Sequence, residues 1–249
     1  MAAYLKSEAL KIKHSFSKKL VFLAPVFTIA VVLFLSASYF HQNVYNWWYA
    51  MILPGMISIL CTLVAKQDSR MKNMAVMSLP VDLKKVWVSK ILLCILLMVE
   101  ASIVVLAGAV AIGNLLGMGI FKLPLLNQFE GVSVLVLTFL WQIPLCLFLG
   151  SKIGMFPTII INMAAYMVLG ILCAVEGLLW MIPYDIPARL MCPILKILPN
   201  GLLAAPGNQT FRPELLSKDV ILPGIAISLV LFLVLAFATS KWYERQEAK

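Results

Sequence analysis

The chain has 249 residues, 62% of them hydrophobic and 12% charged, with a mean hydropathy of +0.98. A water-soluble domain carries roughly 25% charged residues, so a soluble globular fold is excluded. Six bilayer-crossing helices of about 20 residues each would leave only short loops and no room for a separate catalytic domain. The balance of 20 Lys and Arg against 11 Asp and Glu would suggest nucleic-acid binding in a soluble protein, but in a chain this apolar it reports loop orientation.

In chain order, residues 1–19 come first. Leu5, Ala9, Ile12 and Phe16 recur at four, three and four residues, which lines them on one helical face with Lys6, Lys11, Lys13 and His14 largely elsewhere. This pattern predicts an amphipathic helix lying on the inner leaflet. The apolar run that follows is too long for a signal peptide and lacks a small-residue cleavage site, so it is expected to be retained. Six apolar runs predict six spans, at 20–40, 44–65, 91–117, 132–151, 157–182 and 220–240. The second opens with Tyr45, Trp47, Trp48 and Tyr49, expected at a headgroup interface. The fourth carries Pro144, where a kink is expected. Between the fifth and sixth, the segment 183–219 holds Pro183, Pro187, Pro193, Pro199, Pro206 and Pro213, and its apolar pieces are too short to span. Re-entrant or surface half-helices packed on protein suit such pieces. The predicted fold is an all-α integral membrane protein with a single transmembrane domain over 1–249.

Orientation follows from the basic residues flanking the spans. Fifteen of the 20 fall on the side of the two termini, five on the other side (Lys122, Arg189, Lys196, Arg212, Lys218), so both termini are expected in the cytoplasm. The expected location is a membrane crossed several times, with both termini on its cytoplasmic side.

Several chemistries have no residues to support them. The chain has no GxxxxGK[ST] loop, and Gly150, Ser151 and Lys152 form a fragment without the preceding glycines, so ATP work needs a partner. Neither HExxH nor GxSxG occurs, and the two histidines, His14 and His41, flank the first span on opposite faces. Of five cysteines, four (Cys61, Cys94, Cys146, Cys173) sit in apolar runs and Cys192 adjoins Pro193, with neither a disulfide framework nor a zinc spacing. No metal site and no cofactor are expected in this chain.

Two sets of residues stand out as candidates. Glu100 and Glu176 are carboxylates inside apolar runs, and such groups usually face a protein interior or a polar path. Glu100 falls near mid-bilayer with no cationic partner expected at its depth; Glu176 is near its span end and could snorkel outwards. Both are candidates for an intramembrane polar path, against a structural reading as hydrogen-bonded carboxyls at a helix or subunit interface. In the 66–90 connection, Met71, Met74 and Met77 recur at helical spacing beside Asp68, Arg70 and Lys72. Methionines so placed either fill a partner's apolar groove, with the charges fixing register, or pack under the chain's own span ends.

The amphipathic start, the run Asn46, Trp47, Trp48, Tyr49 leading into Leu53, Pro54, Gly55, the basic loop with Lys66, Arg70, Leu79, Pro80, Lys85, Trp87 and Lys90, and the downstream Pro193, Leu198, Pro199, Asn200, Gly201 together resemble the permease subunits of lantibiotic-immunity ABC transporters, of the type-two exporter class. That resemblance implies a permease that pairs with a second related permease, or another copy of itself, and with two copies of a separate ATPase. The ATPase would hold ATP and Mg, and the assembly would remove a cationic antimicrobial peptide from the membrane. It also implies that 66–90 is the coupling loop, with Asp68, Arg70, Met71, Met74 and Met77 at the ATPase contact, and that 183–219 forms outer half-helices. Another class remains open: a membrane assembly or sensor protein that transports nothing.

Overall fold

A computed structural model describes residues 1–68, 81–172 and 177–246, the side chains of 170–172 excepted. Among the described residues the regular structure is helical apart from one antiparallel bridge, Ile197 to Leu203. This follows from the composition, because in hydrocarbon the backbone groups find partners only within a helix or a closed barrel.

Helix α1 (Ala2–Ile12) is closed by Ser15, whose backbone N–H and hydroxyl both donate to the Ile12 carbonyl, each at 2.9 Å. A helical stretch then runs from Phe16 to Lys66, interrupted by non-helical dihedrals at Ser36 and Tyr39. It comprises α2 (Phe16–Ser36), α3 (Phe40–Trp47), a wide turn over Trp48–Ile52 and α4 (Leu53–Lys66). Leu20, Ala24 and Phe27 share a groove with Met51, Gly55 and Ile59, so the stretch folds back on itself as a hairpin.

Helix α5 (Leu83–Ala109) begins well before the expected start of the third span at residue 91. Asp82 caps it by accepting a hydrogen bond from the Lys85 N–H at 3.1 Å, and it continues in wider turns to Leu115. Helices α6 (Leu125–Phe139) and α7 (Gln142–Lys152) meet at 43°. The expected bend thus lies three or four residues before Pro144. Proline withdraws a hydrogen bond from the carbonyl four residues back and its ring crowds that group; here the carbonyl is that of Leu140, which bonds instead to the Ile143 N–H.

Helix α8 (Met155–Leu172) follows Gly154. The outer segment folds as α9 (Ile186–Leu195), buried along its whole length, and ends at Lys196 in the left-handed region (φ 55°). Helix α10 (Ile221–Glu244) completes the bundle. Helix α4 packs on α7 and α8, α5 on α1, α2 and α10, and α9 on α6. At Gly150 a Cβ would lie 2.8 Å from the Thr62 Cα, so this glycine permits the close approach of α7 to α4.

Among the described residues three helical stretches are long and apolar enough to cross a membrane: Phe16–Lys66, Leu83–Leu115 and Lys218–Glu244, with the bent α6–α7 pair a fourth if it is one span. This is fewer than the six spans expected; the first of the three folds back on itself as a hairpin, and α8 is a shorter apolar helix. The outward faces of α2 and α10, with Phe34, Leu222, Leu233 and Phe237 exposed, are apolar.

One expectation is corrected outright. Tyr45, Trp48 and Tyr49 are fully buried instead of lying at a headgroup boundary. The Tyr45 hydroxyl donates to Gln128 Oε1 at 2.9 Å, and Asn46 reaches the Pro199 carbonyl, so α6 and the turn after α9 cover this face.

Candidate functional site

At the end of the bundle that carries both termini, four charged side chains close a ring. Lys90, on α5, donates to Glu8 Oε2 and Asp68 Oδ2, each at 2.8 Å, and reaches the Val64 carbonyl at 3.3 Å. Lys11, one turn after Glu8 on α1, donates to Glu8 Oε1 at 2.5 Å and to Asp68 Oδ1 at 2.9 Å. The four groups sum to zero charge. The side chain of Lys90 is 1% exposed, that of Glu8 5% and that of Asp68 8%. Ions taken this far out of water are tolerated only when paired and hydrogen-bonded, and each of these four has two opposite charges beside it. Burial pushes the Asp68 carboxyl up, but Lys90 and Lys11 together outweigh it and hold it below the usual carboxylate range. Gln67 adds a hydrogen bond to the Lys11 carbonyl.

The ring joins three elements: α1, the two residues after α4, and α5. One turn before Lys90, Trp87 connects α5 to α10. Its indole N–H donates to Thr239 Oγ1 at 3.0 Å and its ring stacks on Tyr243 with centroids 4.6 Å apart. Trp242 meets Trp87 and Phe148 edge to face, and Lys152 lies 4.9 Å above its ring, which brings in α7. The segment 69–80 therefore springs from two anchored roots, Asp68 on one side and the start of α5 on the other.

The expected site residues divide accordingly. Asp68, expected to set register against a partner, has its carboxylate turned inwards to Lys11 and Lys90. Arg70, Met71, Met74, Met77 and Glu176 lie outside the described residues. Glu100 departs from its expected setting: Lys18, in the first turn of α2, pairs with it at 2.5 Å, and both side chains are about half exposed (41% and 45%). The premise that it has no cationic partner is thereby corrected. Because α5 starts at Leu83, its first turns lie beside α1, and Glu100 sits level with the start of α2. Glu8, Lys11 and Lys90 were missed as site residues. Glu8 does carry a signal, since it falls three residues after Leu5 and four before Ile12, on the stripe otherwise read as apolar.

Two further polar clusters are internal. Asn162 on α8 donates to Gln142 Oε1 and Ser58 Oγ, each at 3.0 Å, and accepts from the Tyr184 hydroxyl at 3.1 Å. Next to Tyr184, Asp185 is fully buried with neither carboxylate oxygen hydrogen-bonded among the described residues, and burial pushes it up to about 7. At the end remote from the termini, His41 contacts the Phe121 carbonyl and Asn114 Oδ1, and Gln128 joins Asn114 to the Leu123 carbonyl and Tyr45. Among the described residues no group of His, Cys, Asp and Glu side chains could hold a metal ion, and Cys61, Cys94, Cys146 and Cys192 are buried thiols.

The long apolar helical stretches have the form of a membrane protein. Residues 9–198 match the family model described as ABC-2 family transporter protein. No curated protein and no solved structure matches the chain. The match covers α1 from Ala9 through α9 and includes Lys11, Asp68 and Lys90, and on that span the chain belongs to the ABC-2 transporter family, the membrane permeases that work with an ATPase subunit.

Proposed function

We propose that this chain is the permease of a bacterial ABC exporter that removes lantibiotic-type cationic antimicrobial peptides from the membrane. ATP and Mg are handled by a separate ATPase present in two copies, and a second related permease, or another copy of this chain, completes the path. The proposed layout is six spans, formed by α2, α3 with α4, α5, α6 with α7, α8 and α10, with both termini cytoplasmic. The 15-to-5 distribution of basic residues supports this orientation, and the resemblance to lantibiotic-immunity permeases supports the substrate class.

The observation that carries the mechanism is the buried ring of Glu8, Lys11, Asp68 and Lys90. An ATPase that engages the 66–90 segment pushes on a loop whose roots are fixed to α1 and α5. Displacement of Asp68 moves Lys90, and through Trp87 the start of α5 carries α10 with it. Rigid roots transmit motion that a slack loop would absorb. Few acidic groups attract a cation on the outer side, since Asp185 is buried and Glu130, Glu214 and Asp219 face five basic residues. Peptide selectivity accordingly belongs to a lipid-facing groove or to the second permease.

The test is Met74→Asp, which puts a charge into the proposed apolar contact. Loss of ATPase copurification and of survival against the peptide, at unchanged membrane levels of the permease, is the expected result. Wild-type behaviour in both assays removes the loop from the coupling role. An intact assembly that gives cells no protection points instead to a membrane sensor or assembly protein.

A further inference from the structure

Beside the charge ring, α1 and α5 enclose an open groove of about 310 Å³, at the lower end of ligand-sized clefts, roughly 300–1,000 Å³. Its floor is apolar. Leu93, Leu96 and Leu97 line it from α5, and Leu10 from α1. Its rim is basic: Lys6 and Lys13 stand seven residues apart on α1, two turns along one face with Leu10 between them. Lys18 and Glu100 also border it, but they neutralise each other. Lys6 and Lys13 hold no ion pair among the described residues, so the rim carries two uncompensated positive charges over an apolar floor. That combination excludes a soluble anion as the best occupant, because a soluble anion leaves the exposed Leu10 and Leu96 uncovered. It also excludes a purely apolar one, which leaves the lysines without counterions.

We infer that the groove between α1 and α5 is a binding site for an anionic phospholipid of the leaflet on which α1 lies, with the phosphate between Lys6 and Lys13 and the upper acyl chain against the exposed Leu96 and Leu10. The inference extends the membrane placement proposed above: the same helix that roots the ring through Glu8 and Lys11 turns its other side to a lipid. Lysine stems can lie over Leu10 while their ammonium groups converge on one phosphate. A bound lipid then fills the space next to the α1–α5 contact and holds α1 against the bundle.

The test uses the purified full-length protein in nanodiscs of phosphatidylcholine with a minor fraction of phosphatidylglycerol, with retained lipid counted by native mass spectrometry. Each lysine at an anionic surface is worth about fivefold in affinity. The wild type should therefore prefer phosphatidylglycerol by about 25-fold, and Lys6→Gln with Lys13→Gln should bring the two lipids to near parity. Leu96→Trp, which fills the floor and leaves both lysines in place, should also lose the retained lipid. A control pair on exposed lysines elsewhere, Lys84→Gln with Lys122→Gln, should keep it. The site is overturned if the wild type shows no preference, if the rim double variant retains it, or if inorganic phosphate in excess displaces the lipid, which would make this a simple anion site. Failure here leaves the permease reading standing, since survival against peptide and ATPase copurification are separate measurements.

Discussion

Lys90 is the side chain on which the ring most depends, because it alone joins α5 to both carboxylates. Replacing it with methionine preserves the length of the stem but leaves Glu8 and Asp68 sharing only Lys11, with a net buried negative charge. Breaking a buried pair in this way costs about 3–5 kcal/mol, whereas losing a half-exposed pair such as Lys18 with Glu100 costs about 0–1 kcal/mol. We therefore expect Lys90→Met to lower the thermal midpoint of the purified protein far more than Glu100→Gln, and Glu8→Gln in the Lys90→Met background to recover part of the loss by removing the orphaned charge. Equal shifts for Lys90→Met and Glu100→Gln would show that the ring is not a structural joint. The acid limit follows from the same groups. The contribution of Asp68 is complete above the ordinary carboxylate value of about 4 and is lost as pH falls through its lowered native value. Asp68 therefore stays ionised across the neutral range.

Asp185 has the opposite sign. Burial pushes it up to about 7, so between about pH 4 and 7 the folded protein holds a proton that the unfolded chain has released. Stability falls as pH rises through that window and levels off above it. Asp185→Asn removes the titrating group at nearly constant shape, so its thermal midpoint should exceed that of the wild type at pH 8 and approach it at pH 5. A constant difference across that range would mean that Asp185 finds a charged or hydrogen-bonded partner in the assembled membrane protein.

At the scale of the elements, α5 connects the two ends of the bundle. Its start holds Lys90 and Trp87, and its wide-turn extension reaches Asn114 beside His41. Trp87→Phe keeps the stacking on Tyr243 but deletes the hydrogen bond to Thr239. A buried hydrogen bond is worth about 1 kcal/mol, and the smaller ring leaves a gap against Trp242. A modest fall in thermal midpoint with a larger fall in peptide protection is the expected pattern if α5 passes motion to α10; proportionate falls in both would reduce Trp87 to packing. The helical class, the amphipathic start and the bend near Pro144 were legible because each is a local pattern of apolar spacing or backbone restriction. The ring was not, because its partners come from positions 8, 11, 68 and 90, and no local pattern joins residues that meet only after α4 folds back. The partner of Glu100 was missed for a related reason: Lys18 lies 82 residues away in sequence and meets it only once α2 packs on α5. The buried aromatics Tyr45, Trp48 and Tyr49 show the same limit, since an aromatic belt and an aromatic core have one sequence signature and differ only in what covers them.

For the whole molecule, the arrangement of charge predicts an orientation that can be tested directly. The end with α1, the ring and the C-terminal part of α10 collects most of the basic residues, and the end with α9 and His41 has few. If the positive-inside rule governs, the first end faces the cytoplasm. The probe on the outer side should avoid Gly207, whose φ of 101° would strain any side chain. Gln209 is exposed two residues on and is the better position, and Lys84, exposed in the first turn of α5, serves for the other side. Cys61, Cys94, Cys146 and Cys192 are buried, so background labelling is controlled by the parent protein alone. A membrane-impermeant maleimide added to intact cells should label Gln209→Cys and spare Lys84→Cys until the membrane is opened. Labelling of Lys84→Cys in intact cells would invert the bundle, place the segment 69–80 outside, and remove any route by which a cytoplasmic ATPase could reach the ring. Labelling of neither before opening and of both after would put α9 and the ring on one side, which a bundle with an odd number of crossings between Lys84 and Gln209 cannot allow. The proposed layout has three crossings there, formed by α5, α6 with α7, and α8, so this one pair of positions tests the orientation and the parity of the span count together.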